Sequence, residues 1–409
     1  MSTVLPIVIA GASLAGTSAA EELRKQGFDG DIVMLGAESQ PPYLRPPLSK
    51  KFLTGEEHVE SVWIQQREWY AAHDIQLRTG TTVSKISPRS HAVQLSEHEV
   101  VPYHRLLVTT GSRPRTLSLP GFAHPDVHYL RTIDDSERLR ETLKSGGRRV
   151  AIVGSGWIGL EVAAAARQLG NDVTVFDRNA VPLSTALGEE MGAVFARTHE
   201  AHGVRILTSV SVDELVVDGG SVSGVRYNGG KFVPADVVIA GVGAVPNTEL
   251  AESAGLEVDN GILVDEYLRT SDHDVFAAGD VARAWHPAAR KRIRSEHWMN
   301  AIRTGQAAAR SMLGVGTAFA DIPYFYSDQF EIGMEYSGYG SAATGADIVV
   351  RGDVDGLKFI AFWVRDNRVV AGMNVNMWDV NAPIQDLIRR RTQVSAARLR
   401  DPAVAIDSL

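Results

Sequence analysis

The chain of 409 residues contains no cysteine. This absence excludes disulfide bonds, zinc and iron–sulfur sites with cysteine ligands, and a flavin attached through a cysteinyl bond. It also excludes every class of enzyme that cycles a redox-active pair of thiols. Any oxidation or reduction by this protein must therefore use a bound organic cofactor. No metal site is predicted.

Long apolar segments and a net positive charge are also missing. No apolar run approaches the ~20 residues that a membrane span needs. The apolar run at the N-terminus has no preceding basic region and leads directly into a glycine turn. We interpret it as a first strand rather than a signal peptide, and we expect a cytoplasmic location. Lysine and arginine number 41 and aspartate and glutamate 49, so the net charge of −8 argues against nucleic acid as the main partner.

The most specific motif lies at residues 149–177, RVAIVGSGWIGLEVAAAARQLGNDVTVFD. It predicts a strand, a glycine turn, a helix and a second strand that ends at Asp177. In such a unit Gly154 makes the tight turn, Gly156 lets the backbone approach a pyrophosphate, and Gly159 allows the helix to pack closely on the strand. Asp177 stands where a carboxylate accepts a hydrogen bond from a ribose 2′-OH and repels a 2′-phosphate. The motif predicts a dinucleotide site that prefers NADH, although the arginine after Asp177 favours a phosphate.

A weaker copy of this motif opens the chain. A strand-like run at residues 5–10 precedes GASLAG, which extends from Gly11 to Gly16. Ser13 replaces the middle glycine, so the alternative is a nucleotide fold that has lost its ligand. Serine is small, however, and Glu38 lies ~20 residues after Gly16, the usual distance to the acid that binds the ribose. Two such units predict two dinucleotides, and a flavin with a nicotinamide is the pairing that hydride transfer needs.

Other segments indicate connections and a third region. Paired prolines in YLRPPLSK, residues 43–50, predict an extended segment. VFAAGD predicts a short strand that delivers Asp280 at a glycine turn. From Ile322 aromatic residues cluster, and short alternating strands are predicted to about Met373. A polar helical tail from Asn381 completes a predicted third, α+β domain.

The order and spacing of these motifs resemble the FAD-dependent NADH:ferredoxin reductases, a family that includes putidaredoxin reductase, rubredoxin reductase and the reductase components of aromatic-ring dioxygenases. The shared motifs are GASLAG, RPPLSK, TTGSRPR, YLRT, GSGWIGLE, GVGAVPN, AAGDVAR and YSDQ, and they cover nearly the whole chain. The chain departs from the family at Ser13 and at Tyr324 and Tyr326, where many relatives carry tryptophan.

The resemblance implies an α/β, glutathione-reductase-like fold with two Rossmann-type dinucleotide domains and a C-terminal α+β domain. A discontinuous FAD-binding domain would comprise residues 1–113 and 248–321. The NAD-binding domain would comprise residues 114–247, and the C-terminal domain residues 322–409.

The resemblance also implies non-covalent FAD, NADH and a set of binding residues. FAD would contact Gly11, Ser13, Leu14, Ala15, Gly16, Glu38, Arg45, Lys50, Val83, Thr110, Gly111, Arg131, Gly279, Asp280, Trp298 and Tyr326. NAD would contact Gly154, Gly156, Ile158, Gly159, Asp177 and Gly243. Lys50 and Glu161 are the predicted catalytic pair beside the flavin, and the alternative is a surface ion pair of little energetic value.

We therefore expect a flavoprotein reductase that takes hydride from NADH and passes single electrons to a small acidic iron–sulfur ferredoxin, which feeds a monooxygenase or dioxygenase. A basic segment is the predicted docking surface, although a solvated basic loop is equally consistent with it. It comprises Arg283, Arg290, Lys291, Arg292 and Arg294. A reductase of small molecules, such as an NADH oxidase or a monodehydroascorbate-type reductase, is an alternative. A redox-responsive interaction protein of the apoptosis-inducing-factor type is another.

Overall fold

The computed structural model describes residues 5–409, of which residues 341 and 342 are described as backbone only. The described residues form two compact units. The first holds the residues up to Arg45, Val59–Arg113 and Ala244–Pro323, and the second holds Pro46–His58, Pro114–Gly243 and Tyr324–Leu409. Residues 1–4 of the predicted FAD domain lie outside the described part, and the three-domain boundaries stay a prediction.

A five-stranded parallel sheet forms the centre of the first unit. Its strands, in spatial order, are Val275–Ala277, Arg105–Val108, Ile7–Ala10, Ile32–Leu35 and Ile75–Arg78. Short runs of isoleucine, valine and leucine suit these strands because a parallel sheet is covered on both faces, and Ile7–Ala10 is fully buried. Helices Leu14–Lys25 and Trp298–Met312 pack against each other. The carboxyl ends of the strands meet at one edge, which is where nucleotides bind in such sheets.

Shorter elements complete the first unit. Its other strands are Lys85–Ser87, Ala92–Gln94, Val100–Pro102, Ser112–Pro114, Ala244–Pro246, Ile262–Val264, Ala282–His286 and Lys291–Ile293. Its other helices are Arg67–Ala72 and Glu249–Ser253, with 3₁₀ helices Val59–Val62, Pro88–Ser90 and Gly279–Val281. The sequence alone predicts a longer helix, over residues 63–73, than the six residues of Arg67–Ala72.

The second unit contains a second parallel sheet of the same kind. Its strands, in spatial order, are Arg205–Leu207, Asp172–Phe176, Arg149–Val153, Val237–Ala240 and Val127–His128. Its helices are Lys51–Thr54, Ile133–Leu143, Trp157–Gln168 and Ser184–Ala201, the last with a kink at Gly188. Strands Val212–Asp218, Ser221–Tyr227 and Lys231–Pro234 form an antiparallel sheet.

The last 86 or so residues of the second unit form an antiparallel sheet with short helices. The strand order is Tyr324–Gln329, Ile332–Gly338, Arg368–Val375, Lys358–Arg365 and Asp347–Asp353. The helices are Gly340–Ala343, Asn381–Arg390 and Ala396–Arg400, with the 3₁₀ helix Ile406–Ser408. Leu160 and Phe195 of the parallel-sheet region share a buried core with Trp363 of this sheet. The α/β class and the predicted C-terminal α+β region are confirmed.

The proline-rich segment is not extended, so that prediction is wrong. Pro46–Ser49 forms a 3₁₀ helix, which the Lys50 N–H closes by donating to the Pro47 carbonyl at 2.9 Å. The φ that the proline ring imposes also suits the first turn of a helix. Leu48 is buried, and the Ser136 hydroxyl donates to the Leu48 carbonyl at 2.7 Å, which anchors the turn in the second unit.

Among residues 5–409, no helix is both long enough and apolar enough to cross a lipid bilayer.

Candidate active site

The Gly154 turn of the second unit has two glycines that the protein itself requires and one that it does not. Gly154 has φ +105°, and a Cβ atom there would lie 2.4 Å from the Gly241 carbonyl oxygen. A Cβ at Gly159 would lie 2.1 Å from the Gly154 carbonyl oxygen, so the helix packs closely on the turn. A Cβ at Gly156 would have no heavy atom within 4 Å. The free space at Gly156, at the N-terminus of helix Trp157–Gln168, fits a pyrophosphate.

Asp177 lies beside this turn, at the carboxyl end of the neighbouring strand. Its Oδ2 accepts hydrogen bonds from the Ser155 N–H at 2.7 Å and from the Ser155 hydroxyl at 2.5 Å. Its Oδ1 accepts from the Asn179 N–H at 2.7 Å. Ile158 is 47% exposed on the first turn of the helix, and Gly243 is exposed after the strand Val237–Ala240. The structure therefore gathers the predicted NAD residues at one edge of the sheet.

The Gly11 turn of the first unit has a similar geometry. Gly11 has φ +125°, and a Cβ there would lie 2.2 Å from the Thr109 carbonyl oxygen. A Cβ at Gly16 would lie 2.5 Å from the Gly11 carbonyl oxygen. Ser13 takes an extended conformation before helix Leu14–Lys25, and its side chain makes no capping hydrogen bond. The turn keeps the backbone of a dinucleotide site, with a hydroxymethyl group at the middle position.

Two carboxylates accompany this turn in the first unit. Glu38 Oε1 accepts a hydrogen bond from Arg45 Nη2 at 2.6 Å, and Glu38 Oε2 accepts one from the Tyr43 hydroxyl. Asp280 is buried just after the strand Val275–Ala277, and its Oδ2 accepts from the Ser112 hydroxyl at 2.9 Å. A carboxylate at the end of a buried strand suits the hydroxyl groups of a dinucleotide, so these residues fit FAD.

The remaining residues predicted to bind FAD occupy both units. In the first unit Ala15 is buried and Leu14 is partly exposed on the first helix, while Val83 is buried in a loop. The Thr110 hydroxyl donates to the Asn247 carbonyl, and Trp298 is the first residue of its helix. Gly111 has φ +66° and Gly279 has φ +76°. In the second unit Arg131 directly precedes Thr132, the N-cap of helix Ile133–Leu143. Lys50 and Tyr326 also belong to the second unit.

Lys50 and Glu161 lie together in the second unit, 111 residues apart in sequence. Lys50 Nζ lies 2.9 Å from Glu161 Oε2, and the side chains are 16% and 5% exposed. Lys50 caps helix Lys51–Thr54, whereas Glu161 belongs to helix Trp157–Gln168. A buried ion pair loses the hydration that an exposed pair retains. The alternative of a surface ion pair therefore does not describe Lys50 and Glu161.

Two serine hydroxyls also hold the Glu161 carboxylate. Ser49 Oγ donates to Oε2 at 2.5 Å, and Ser327 Oγ donates to Oε1 at 2.6 Å. These hydrogen bonds offset part of the cost of a buried charge. Ser49 lies in the motif RPPLSK and Ser327 in YSDQ, yet the sequence alone assigns neither serine a role. Position in a motif was the available signal, but only the fold shows that they face Glu161.

Tyr326 also lies near Lys50. The centroid of its ring is 5.6 Å from Lys50 Nζ, within the range of a cation–π interaction. Burial raises the pKa of the Tyr326 hydroxyl to about 12, so the hydroxyl keeps its proton at neutral pH. A cleft of about 540 Å³ reaches Lys50, Glu161 and Tyr326, with Lys51, Glu57 and Asp328 also in its wall. The predicted catalytic pair, Lys50 and Glu161, is therefore buried but accessible from a polar cleft.

The predicted docking segment carries fewer free charges than its sequence suggests. Arg283 forms an ion pair with Asp259, and Arg294 Nη1 lies 2.5 Å from Glu296 Oε1. Arg292 donates to the Val264 carbonyl at 2.5 Å. Arg290 is exposed.

Comparison with known proteins places this geometry in a family. The sequence profile of the pyridine nucleotide-disulphide oxidoreductases matches residues 5–305, and a reductase C-terminal profile matches residues 324–409. The chain belongs to the pyridine nucleotide-disulphide oxidoreductase family. It is an oxidoreductase, and FAD and NADH are the cofactors of this family and of its ferredoxin–NAD(+) reductases.

Three relatives of this oxidoreductase are similar over almost their whole length. The ferredoxin–NAD(+) reductase component of the anthranilate 1,2-dioxygenase system of Burkholderia cepacia is 40% identical over 98% of both chains. The crystal structure of a ferredoxin reductase from Rhodopseudomonas palustris superposes with a TM-score of 0.94, at 30% identity and 98% coverage of both chains. A crystal structure of the covalent putidaredoxin reductase–putidaredoxin complex superposes with a TM-score of 0.93, at 35% identity, covering 98% of this chain and 97% of the other. The expected fold family is confirmed.

Proposed function

We propose that this protein is an NADH-dependent ferredoxin reductase that feeds a monooxygenase or a dioxygenase. The observation that carries the proposal is that the chain keeps both dinucleotide turns and contains no cysteine. Bound FAD would accept hydride from NADH and release electrons one at a time to an iron–sulfur protein. The disulfide chemistry that gives the family its name needs a thiol pair, so electrons must leave by another route.

Within this proposal Lys50 and Glu161 are the catalytic pair. Lys50 would supply a cation where reduction of a flavin builds negative charge, and Glu161 would lie beside the nicotinamide. Glu161 also fixes the position of the Lys50 ammonium group through the 2.9 Å contact. Tyr326 supports the same cation from its ring face.

The residues predicted to bind FAD and NAD act within the same proposal. The Gly156 opening and the adjacent Asp177 carboxylate would hold NADH, and Asp177 disfavours a 2′-phosphate by charge repulsion. The Gly11 turn, Glu38 and Asp280 would hold FAD. We expect the reaction to occur in the cytoplasm.

The decisive experiment is stopped-flow mixing of the FAD-loaded protein with NADH, with NADPH and with a small acidic ferredoxin. We expect two-electron reduction of the flavin by NADH, a lower kcat/KM with NADPH, and slow turnover that rises steeply when the ferredoxin is added. Rapid NADH oxidation that the ferredoxin does not change would favour a small-molecule acceptor. A long-lived charge-transfer complex with a redox-dependent oligomer would favour an interaction protein.

The docking surface on residues 290–291 is tested by charge reversal. The double variant Arg290→Glu and Lys291→Glu reverses two positive charges of this basic segment and should slow ferredoxin reduction about tenfold at low salt. Ferricyanide reduction by NADH should stay unchanged. The variant Lys25→Glu with Lys85→Glu changes the net charge equally at exposed positions elsewhere and is the control. Equal losses in both variants, or in both activities, would contradict this surface.

A further inference from the structure

A continuous line of hydrogen bonds leads from Glu161 into the core of the second unit. Ser327 Oγ lies 2.6 Å from Glu161 Oε1, and Gln329 Nε2 lies 3.1 Å from Ser327 Oγ. His199 Nε2 lies 2.9 Å from Gln329 Oε1. Ser327 and Gln329 are on strand Tyr324–Gln329, whereas His199 is near the end of helix Ser184–Ala201.

The chemistry of these groups gives the line a single direction. The Glu161 carboxylate, paired with Lys50, can only accept hydrogen bonds. The Ser327 hydroxyl therefore donates its single hydrogen to this carboxylate. Ser327 Oγ must then accept from Gln329, whose side-chain amide nitrogen is the donor. The Gln329 oxygen therefore faces His199, which must carry its proton on Nε2. Three successive donors point towards one carboxylate oxygen, and each bond polarises the next.

The burial of the three side chains favours this one direction of the hydrogen bonds. Ser327, Gln329 and His199 are at most 1% exposed. Within the part of the chain that the structure describes, His199 Nδ1 has no hydrogen-bond partner, and the ring packs edge-on against Phe330 with centroids 5.0 Å apart. A proton on Nδ1 would therefore be buried without an acceptor. Burial lowers the pKa of His199 to about 4, so the ring is neutral at neutral pH.

We propose that Ser327, Gln329 and His199 are positioning residues that hold the Glu161 carboxylate directed at Lys50. The role in hydride transfer rests on the proposed function, whereas the direction of the line does not. Without the line, Glu161 Oε1 would be a buried carboxylate oxygen that has lost its donor, and the protonated form of Glu161 would become more favourable.

The critical variants are Ser327→Ala, which removes the donor, and Gln329→Glu, which turns the donor to Ser327 into an acceptor. Ser337→Ala is the matched control, because Ser337 is a buried serine on the adjacent strand whose hydroxyl lies 3.2 Å from Asn381 Oδ1, away from Glu161. We expect the first two variants to slow flavin reduction by NADH about tenfold. The apparent pKa of the acid limb of this rate should rise by about one pH unit.

The groups that also influence these sites remain in place in all three variants. Lys50, Tyr326 and Asp328 act on or near Glu161, while His202 and Glu331 act on His199. A shift of the acid limb in Ser327→Ala and not in Ser337→Ala therefore reports on the hydrogen bond to Glu161. A general loss of packing would lower the rate without moving the limb.

Nitrogen-15 NMR of histidine-labelled protein supplies a readout that is independent of activity. We expect His199 to be the neutral Nε2–H tautomer in the wild-type protein and in Ser337→Ala. An Nδ1–H tautomer, or a mixture, overturns the proposal, and so does an acid limb that Ser327→Ala leaves unchanged. If NADH fails to reduce the wild-type flavin, the proposed function fails, and the tautomer still decides the direction of the line.

Discussion

The Gly11 and Gly154 turns use the same backbone but differ at the middle residue. In each turn the first glycine has a positive φ, and a Cβ there would lie within 2.4 Å of a carbonyl oxygen of a neighbouring strand end. In each turn the third glycine lies too close to the first for a side chain. The middle residue is Ser13 in one and Gly156 in the other, and both are extended with negative φ.

The difference separates two requirements that a glycine motif combines. The first and third glycines are required by the fold, because any side chain there meets backbone atoms of the protein. At Gly156 a Cβ atom would have no heavy atom within 4 Å, so only a ligand can require glycine there. Ser13 is consistent with a ligand that tolerates a small side chain. The free space at Gly156 is consistent with a ligand that approaches the backbone closely.

The largest effect should come from Gly154→Ala. The new Cβ would lie 2.4 Å from the Gly241 carbonyl oxygen at φ +105°, so the strand end must shift. We expect the free energy of unfolding to fall by about 2–4 kcal/mol, measured by urea denaturation with circular dichroism. Gly156→Ser, on the same turn, is the control and should unfold at the wild-type urea concentration. Equal destabilisation by both substitutions would contradict the view that the fold requires Gly154 whereas only a ligand requires Gly156.

A smaller and different effect should come from Gly156→Ser in NADH binding. Serine is a favourable N-cap residue, and a Cβ atom at this position has no heavy atom within 4 Å, so stability should be kept. The hydroxymethyl group would occupy space next to the pyrophosphate, and the Kd for NADH should rise about tenfold, or ~1.4 kcal/mol. Titration calorimetry measures this, with FAD content as the internal check. An unchanged Kd would show that the ligand does not need the middle glycine.

The smallest effect should come from Ser13→Gly. Ser13 is already extended and caps no N–H with its side chain, so its removal should alter stability by only a few tenths of a kcal/mol. The Kd for FAD should change less than about threefold, measured by equilibrium dialysis. A tenfold gain in FAD affinity would mean that Ser13 obstructs the cofactor. Both ligands would then favour glycine at the middle position of their turn.

The sequence predicts the parts of this protein that lie within one motif better than those that join several. Both parallel sheets follow from apolar runs next to glycine turns, and Lys50 and Glu161 were paired because each stands in a recognisable motif. The extended conformation expected at Pro46 was wrong, because the φ of proline suits a helical turn equally well and the packing of Leu48 decides between them.

The residues that sequence reasoning missed are those whose role depends on tertiary contacts. Ser49, Ser327 and Gln329 reach Glu161 or its neighbours from a turn and a strand that are distant in sequence. His199 stands in no motif, and its hydrogen bond to Gln329 spans 130 positions. No local pattern could assign its tautomer, because that depends on the direction of every bond between it and Glu161.

The route of the backbone between the two units bears on how such a protein can evolve. Among the described residues the chain changes unit after positions 45, 58, 113, 243 and 323. Lys50, Glu161 and Ser327 consequently come from three different segments of the second unit. Recombination that exchanged the middle segment alone would import a glutamate without its lysine or its serine. We therefore expect Lys50, Glu161 and Ser327 to change together in evolution, although they lie in different segments of the chain.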